Sequence, residues 1–469
     1  MNKKNKQKYV YKKYNIFLFI TIFCISLFSL SFGTNLIKET NNSSLTLSTK
    51  FEESTSESFS ISELKSRNLI YFLGRTFYSE EDECQWFNFS LSGFMVKFVG
   101  TELDGSFLIK TLGSPQYDAY ISVVVDLNTS HEKSFSINLS NYANNESTIN
   151  VPIVSNLDNM THSLYIYKRS EAYYTSIGIA NLSTDNYFLI ANSKPTYKFE
   201  FYGDDIICGA YVEETSSSST FSTATENPLK TYPYLFASNL SSTGVLTEIS
   251  EIAFGGAPIF KSASLSSGHS ITNIPMLIDK SNYGYETWDN SSFEPDGVII
   301  DLGINDKSFL DSLDSNSEDY ITYKEDFTNC YINFIDNIFY FYPNTKVFVA
   351  SNMISLGDTL EALIDNVVLS FDANVYRINF TSQSLASIMP NNHPNAKQQY
   401  YASNELGQKL AEIYGFTYPY NNPSINTVFL RYVLPFIFIL LICVCLPLLY
   451  YFNEQIKKII ILKRKGDKK

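Results

Sequence analysis

DGVIIDLG (296–303) is a near-continuous apolar run closed by glycine. A strand without in–out alternation is one covered on both faces, as in a parallel sheet. Reading outward on the amino-terminal side, FEFYG (199–203) is a second strand ending in glycine, NPLKTYPYLFASNL (227–240) an amphipathic helix and LTEISEIAFG (246–255) a third strand. On the other side come a helix at DFTNCYINFIDNIFYFYP (326–343), strands at TKVFVAS (345–351) and ANVYRINF (373–380), and a closing helix at NAKQQYYASNELGQKLAEIYGF (395–416). This alternation predicts a doubly wound α/β domain over residues 194–420. Ligands of such sheets bind beyond the carboxyl ends of the strands. Chemistry is therefore expected in the loops after Gly203, Phe254 and Gly303.

Upstream the texture differs. Residues 68–193 carry short apolar-aromatic runs, among them LIYFLGR, FMVKFVG, YISVVVDL, SFSINL, SLYIYKR and YFLIA, separated by Asn, Ser, Gly and Asp. That spacing predicts an all-β sandwich. Residues 34–67 are rich in Ser, Thr and Glu with few apolar residues, and read as a disordered spacer.

The 469 residues are 44% hydrophobic and 15% aromatic, enough for two cores, which excludes a disordered chain, a collagen-like repeat and a small disulfide-stapled domain. Residues 1–33 hold six basic and no acidic residues, 453–469 hold seven basic and two acidic, and 34–452 hold 22 basic against 46 acidic. So acidic a body repels phosphate backbones, so nucleic acid is not an expected partner. The basic, apolar and small-residue order of 1–33, ending Ser31-Phe32-Gly33, reads as a secretory signal peptide, with an uncleaved signal anchor as the alternative. Residues 432–452 are uncharged and long enough to span a bilayer as one helix. The basic tail 453–469 then lies on the cytoplasmic side, in a single-pass type I protein at the cell surface or an endomembrane. Sequons at Asn41, Asn42, Asn88, Asn128, Asn138, Asn145, Asn159, Asn181, Asn239, Asn290 and Asn379 fit a glycosylated exterior. Outside the apolar segments stand only Cys84, Cys208 and Cys330, which allow at most one disulfide and show no metal-ligand spacing.

The three loops carry a resemblance. FEFYGDDIICGAY (199–211) resembles the first block of the SGNH (GDSL-type) hydrolases, in which a strand runs into Gly-Asp-Ser. Gly255 falls at the oxyanion-hole glycine of the second block. LGIND (302–306) is similar to the third block, whose Asn, here Asn305, is an oxyanion donor. NNHPN (391–395) resembles the block of the catalytic His, here His393. LGRTF (73–77), FVGTEL (98–103), YISVVVDL (120–127), HSLYIYKRSEA (162–172) and TENPLKTYPYLFASNL (225–240) are similar to carbohydrate esterase family two, a jelly-roll sandwich followed by the SGNH domain. The resemblance implies acetyl-group removal from xylan- or glucomannan-type polysaccharides by a Ser nucleophile and a His base, with no metal or cofactor, and a carbohydrate or O-acetylated glycan as partner.

The chain departs from this pattern at the nucleophile. Asp205 stands in the place of the serine, and no serine lies between Gly203 and Val212. Acyl transfer by this route needs a hydroxyl that gives its proton to His as it attacks. A carboxylate would form a mixed anhydride and set negative charge beside the oxyanion donors. Pro390 and Asn391 precede His393 where an acid is usual, and Ile207 replaces a Thr. Facing His393, Asp205 would favour the imidazolium. The Thr215–Thr220 tract reads as a solvated loop at the site mouth, its alternative being a displaced nucleophile. Two functions are expected: a catalytically impaired, membrane-anchored esterase relative that binds or recognises glycans, and, as the alternative, an active carbohydrate esterase.

Overall fold

The computed structural model describes residues 56–143, 148–216, 218–263, 288–351, 353–384, 388–419 and 451–457. Its first twelve strands are β1 (Glu57–Ser60), β2 (Ile70–Leu73), β3 (Thr76–Ser79), β4 (Cys84–Phe87), β5 (Gly93–Gly100), β6 (Leu103–Thr111), β7 (Tyr120–Val125), β8 (Lys133–Asn138), β9 (Ile149–Val154), β10 (Met160–Lys168), β11 (Thr175–Thr184) and β12 (Tyr187–Leu189). They form two antiparallel sheets. One has the order β3-β4-β11-β6-β9 with β1 also on β11, and the other β12-β5-β10-β7-β8 with β2 also on β5. Phe87, Phe107, Ile177 and Ile179 of the first meet Phe94, Val96, Ile121 and Leu164 of the second in one apolar core. The inward positions alternate as the pleat requires.

The expected spacer does not run to residue 67. β1 pairs with β11 from Glu57, and helix α1 (Ile61–Ser66) follows it. Ser60 and Glu63 cap that helix reciprocally. The Ser60 amide donates to Glu63 Oε2 at 3.0 Å, and the Glu63 amide donates to Ser60 Oγ at 3.3 Å. Ile61 and Leu64 then close the sandwich core, so burial holds a segment that looks polar by composition.

The second half contains β13 (Tyr197–Gly203), β14 (Thr247–Ala253), β15 (Gly297–Asp301), β16 (Lys346–Ser351) and β17 (Val375–Asn379), all parallel in the order β14-β13-β15-β16-β17. The helices are α2 (Asp205–Cys208), α3 (Tyr232–Ser242), α4 (Ile304–Leu310), α5 (Glu318–Phe341), α6 (Gly357–Leu369) and α7 (Ala396–Tyr414). α3 and α7 bury Phe236, Leu240, Leu406 and Leu410 against Phe199, Phe201, Ile299 and Phe348 on one face. α5 and α6 bury Phe327, Phe334, Leu360 and Ile364 against Tyr202, Ile300, Val347 and Val349 on the other. The sheet is doubly wound, and its order reverses at β13, which places the crevice at the carboxyl ends of β13 and β15.

Several helices differ from expectation, the short α2 and α4 among them, which the sequence reading did not anticipate. The helix expected from 227 begins at Tyr232, because Pro228–Lys230 forms a separate turn capped by Asn227. The helix expected from 326 begins at Glu318 behind its Ser317 cap. α6 was not expected at all. The membrane span expected at 432–452 lies outside the described residues except for 451 and 452. Among the described residues no helix is long and apolar enough to cross a membrane. The expected signal peptide and residues 458–469 of the basic tail also lie outside them. Cys84, Cys208 and Cys330 are free thiols. Asn88 is 1% exposed, which removes it from the sequons a glycan can reach in the folded protein.

The two halves are joined by a sealed ion pair. Arg75, after β2, donates from Nε and Nη2 to Glu200 Oε1 of β13 at 3.2 and 2.9 Å. Tyr202 Oη accepts from Arg75 at 2.8 Å and donates to Glu200 Oε2 at 2.7 Å. Neither charged side chain is exposed.

Candidate active site

Gly203 ends β13 level with Ala253 of β14 and Asp301 of β15. A Cβ at Gly203 would stand 2.6 Å from the Ile207 side chain, so glycine lets α2 fold back tightly over the strand. Asp204 caps that turn: its Oδ1 accepts from the Ile206 amide at 3.0 Å and its Oδ2 from Asn305 Nδ2 at 2.9 Å. Burial pushes the Asp204 carboxyl well above the usual carboxylate range, and the charge of Asp205 adds to the shift.

Asp205, the next residue, faces His393. Asp205 Oδ2 lies 3.1 Å from His393 Nε2, with the carboxylate side chain 29% exposed and the imidazole 9%. The contact joins charges at close range without the alignment of a good hydrogen bond. His393 Nδ1 donates to the Pro390 carbonyl at 3.0 Å, so a backbone oxygen fixes the ring where a hydrolase usually uses an acid. Burial pushes His393 down, and the Asp205 carboxylate outweighs it, leaving the imidazole above its ordinary value. Burial likewise pushes Asp205 up, and the His393 charge outweighs it, leaving this carboxyl below its ordinary value. A carboxyl group and an imidazole, each favouring the charged form of the other, thus face one another beyond the carboxyl end of β13.

Asn305 reaches the site, but its amide is engaged: besides Asp204, Nδ2 contacts the Ala257 carbonyl at 3.2 Å. To serve an oxyanion it would have to leave one of these acceptors. Asp306 points away from the pair and anchors the loop after β14. Its carboxylate accepts from the amides of Ile259 at 2.8 Å, Phe260 at 2.9 Å and Lys261 at 3.1 Å, and from Tyr323 Oη at 3.1 Å. That anchor sets the course of the loop carrying Gly255. A Cβ at Gly255 would stand 2.8 Å from Glu171 Oε1, so the expected hole position is backed by a carboxyl group from the sandwich. The Thr215–Thr220 tract is mostly exposed among its described residues, as a solvated loop requires.

Sequence reasoning missed several neighbours. Glu171 comes from the turn between β10 and β11, inside a stretch quoted only for its likeness. Gln399 of α7 donates to the Ile206 carbonyl at 2.9 Å and accepts from the Tyr232 amide at 3.0 Å, pinning α2 to α3. Tyr211 has φ +59°, a left-handed conformation costly for a bulky residue, and its ring centroid lies 4.8 Å from that of His393. From it a row of rings runs back to the sandwich: Tyr211 to Phe221 at 5.6 Å, Phe221 to Tyr174 at 4.9 Å, and Tyr174 stacked on Tyr117 at 4.5 Å. A small pocket on the other side is lined by Asp204, Ile206, Asp301, Ser351 and Met353, among others.

The fold is thus an antiparallel sandwich joined to a doubly wound sheet whose first and third loops carry Gly-Asp and Gly-X-Asn-Asp. No family model matches the chain. Over 334 residues it is 28% identical to the cellulase/esterase CelE of Acetivibrio thermocellus, a match covering 67% of this chain and 36% of that protein. The chain thus spans about a third of the length of this relative. Among solved structures, a family two carbohydrate esterase from Clostridium thermocellum, in complex with cellohexaose, aligns with a TM-score of 0.61 at 23% identity, covering 74% of this chain and 99% of the other. An acetyl xylan esterase from the rumen bacterium Butyrivibrio proteoclasticus aligns at 0.65 and 16% identity, covering 76% and 99%. A family two carbohydrate esterase from Cellvibrio japonicus aligns at 0.63 and 17% identity, covering 76% and 98%. The chain has the fold of the family two carbohydrate esterases, and the sequence match supports homology to them.

Proposed function

We propose that this chain is a membrane-anchored, extracellular or lumenal glycan-binding relative of the carbohydrate esterases that has lost ester turnover. The observation that carries the reading is the Asp205–His393 pair at 3.1 Å. Each partner favours the charged form of the other, which opposes His393 acting as a general base, and Asp205 offers no hydroxyl to give up a proton. Its negative charge also stands where a developing oxyanion would have to be stabilised. The ring row from Tyr117 to Tyr211 supports retained carbohydrate recognition, since Tyr117, Tyr174 and Phe221 are only half-buried and sugar rings stack on such faces. The span at 432–452 and the signal peptide would place the site outside the cytosol.

The test is aryl acetate hydrolysis by the purified full-length chain and by its Asp205→Ser variant. The reading requires no turnover above buffer by the native chain. The variant should turn over at least about 100-fold faster, the scale that a positioned base contributes, and lose this on His393→Ala. Native turnover that His393→Ala abolishes would make the protein an active esterase and overturn the reading.

A further inference from the structure

Behind the pair lies a second cluster of chemistry-bearing groups drawn from four separate elements. Glu171 comes from the turn after β10, Cys208 from α2, Glu226 from the segment before α3 and Glu251 from β14. None is more than 1% exposed. One ligand-type atom from each of Glu171, Cys208 and Glu226 lies within 4.8 Å of the other two. The Glu251 carboxyl faces Glu171 and the Cys208 thiol.

Glu226 Oε2 accepts from the Glu171 amide at 3.0 Å. The remaining oxygens are poorly satisfied: Glu226 Oε1 lacks a hydrogen-bond partner, and Glu171 Oε2 and the Glu251 carboxyl have only the Cys208 thiol beside them. Buried carboxyl oxygens are ordinarily satisfied, because each orphan costs about 1–3 kcal/mol. Burial pushes the Glu171 and Glu226 carboxyls up, against the buried Lys168, whose ammonium donates to the Ser170 carbonyl, and against Arg169 near Glu226. A bound dication is a partner that would let these crowded acids ionise together.

We propose that Glu171, Cys208 and Glu226, with Glu251 beside them, form a buried structural site for a divalent cation of the zinc class. The thiol selects zinc over calcium or magnesium, which prefer all-oxygen shells, and a closed set of sulfur and carboxylate ligands suits a structural ion. Bound there, the ion would turn Cys208 from a thiol into a thiolate. It would tie the sandwich to the parallel sheet directly behind Gly255, against which Glu171 already packs. This proposal does not depend on whether the neighbouring site turns over esters.

Metal content decides it. The full-length chain, purified without chelators, incubated with zinc and freed of excess by gel filtration, should hold about one zinc per chain. Cys208→Ser and Glu226→Gln should each retain at least tenfold less, with circular dichroism unchanged. Cobalt in place of zinc should give the native chain a near-ultraviolet thiolate-to-metal charge-transfer band that Cys208→Ser lacks. The cobalt spectrum of the native chain reports on the site without a variant that must fold. A native chain without zinc and without the cobalt band would overturn the proposal, the acids then holding protons instead. Equal zinc in the native chain and in Cys208→Ser would overturn it as well.

Discussion

Two ion pairs in this protein have similar lengths and opposite characters. Arg75–Glu200 is sealed from water, makes two hydrogen bonds to one oxygen and has Tyr202 bridging the other. Asp205–His393 is half open on the carboxylate side and poorly aligned, and its second imidazole nitrogen rests on a backbone carbonyl. The first is what a fold builds to hold two sheets together. The second stands at the crevice beyond the carboxyl ends of the parallel strands, where on the proposed reading a reaction site would have kept its framework and changed one residue. A distance alone would not separate them; the disposition of the remaining hydrogen-bonding atoms does.

The contrast breaks most visibly at Arg75. Arg75→Ala leaves Glu200 charged and buried, and should lower unfolding stability by about 3–5 kcal/mol in urea titration. A loss below about 1 kcal/mol would mean that the joint between the halves lies elsewhere.

Smaller effects belong to the exposed pair. In Asp205→Asn, the carboxylate that holds His393 above its ordinary value is gone and burial remains. The imidazole pKa, followed by NMR, should fall below its native value. The stability difference between native and Asp205→Asn follows from the two shifts. His393 is raised, so its contribution is complete below about 6.5 and is lost as pH rises through the folded value. Asp205 is lowered, so its contribution is complete above about 3.9 and is lost as pH falls through the folded value. The difference should be largest between those limits and shrink on either side. A difference flat from pH 4 to pH 9 would show that no ion pair forms.

The smallest effect sharpens the same contrast. Raising salt to about 1 M shortens the screening length to about 3 Å, so the stability difference for Asp205→Asn should shrink while that for Arg75→Ala should not. Equal salt dependence at both sites would erase the distinction between sealed and open.

Legibility in the sequence followed the same divide between regular and special chemistry. The six runs that announced the sandwich are β2, β5, β7, β8, β10 and β12, which together form one of its two sheets. The other sheet was hidden by its breakers. β6 contains Gly105, the edge strand β9 contains Pro152, and β11 contains Gly178, where a Cβ would stand 2.7 Å from Cys84 Sγ. α6 escaped because Leu356 and Gly357 begin it without a side-chain cap. Asp205 and Asn305 were picked out because they sit in local blocks after β13 and β15, and His393 because it sits in one just before α7. Glu171 was not, since only the packing of the sandwich against the sheet brings it to Gly255. The role of Asp306 was also beyond sequence, because three amides of a loop far away in the chain define it.

The last described turn of the body has a bearing on orientation. Tyr414 Oη donates to the Asp296 carbonyl at 2.6 Å, and the rings of Phe416 and Tyr197 lie 5.4 Å apart, so the chain leaves the sheet beside the first residues of β13 and β15. Asp205 and His393 open at the other ends of those strands. The described chain therefore takes its leave of the sheet at the end opposite the Asp205–His393 crevice, so that whatever follows residue 419 starts away from the open face of the site.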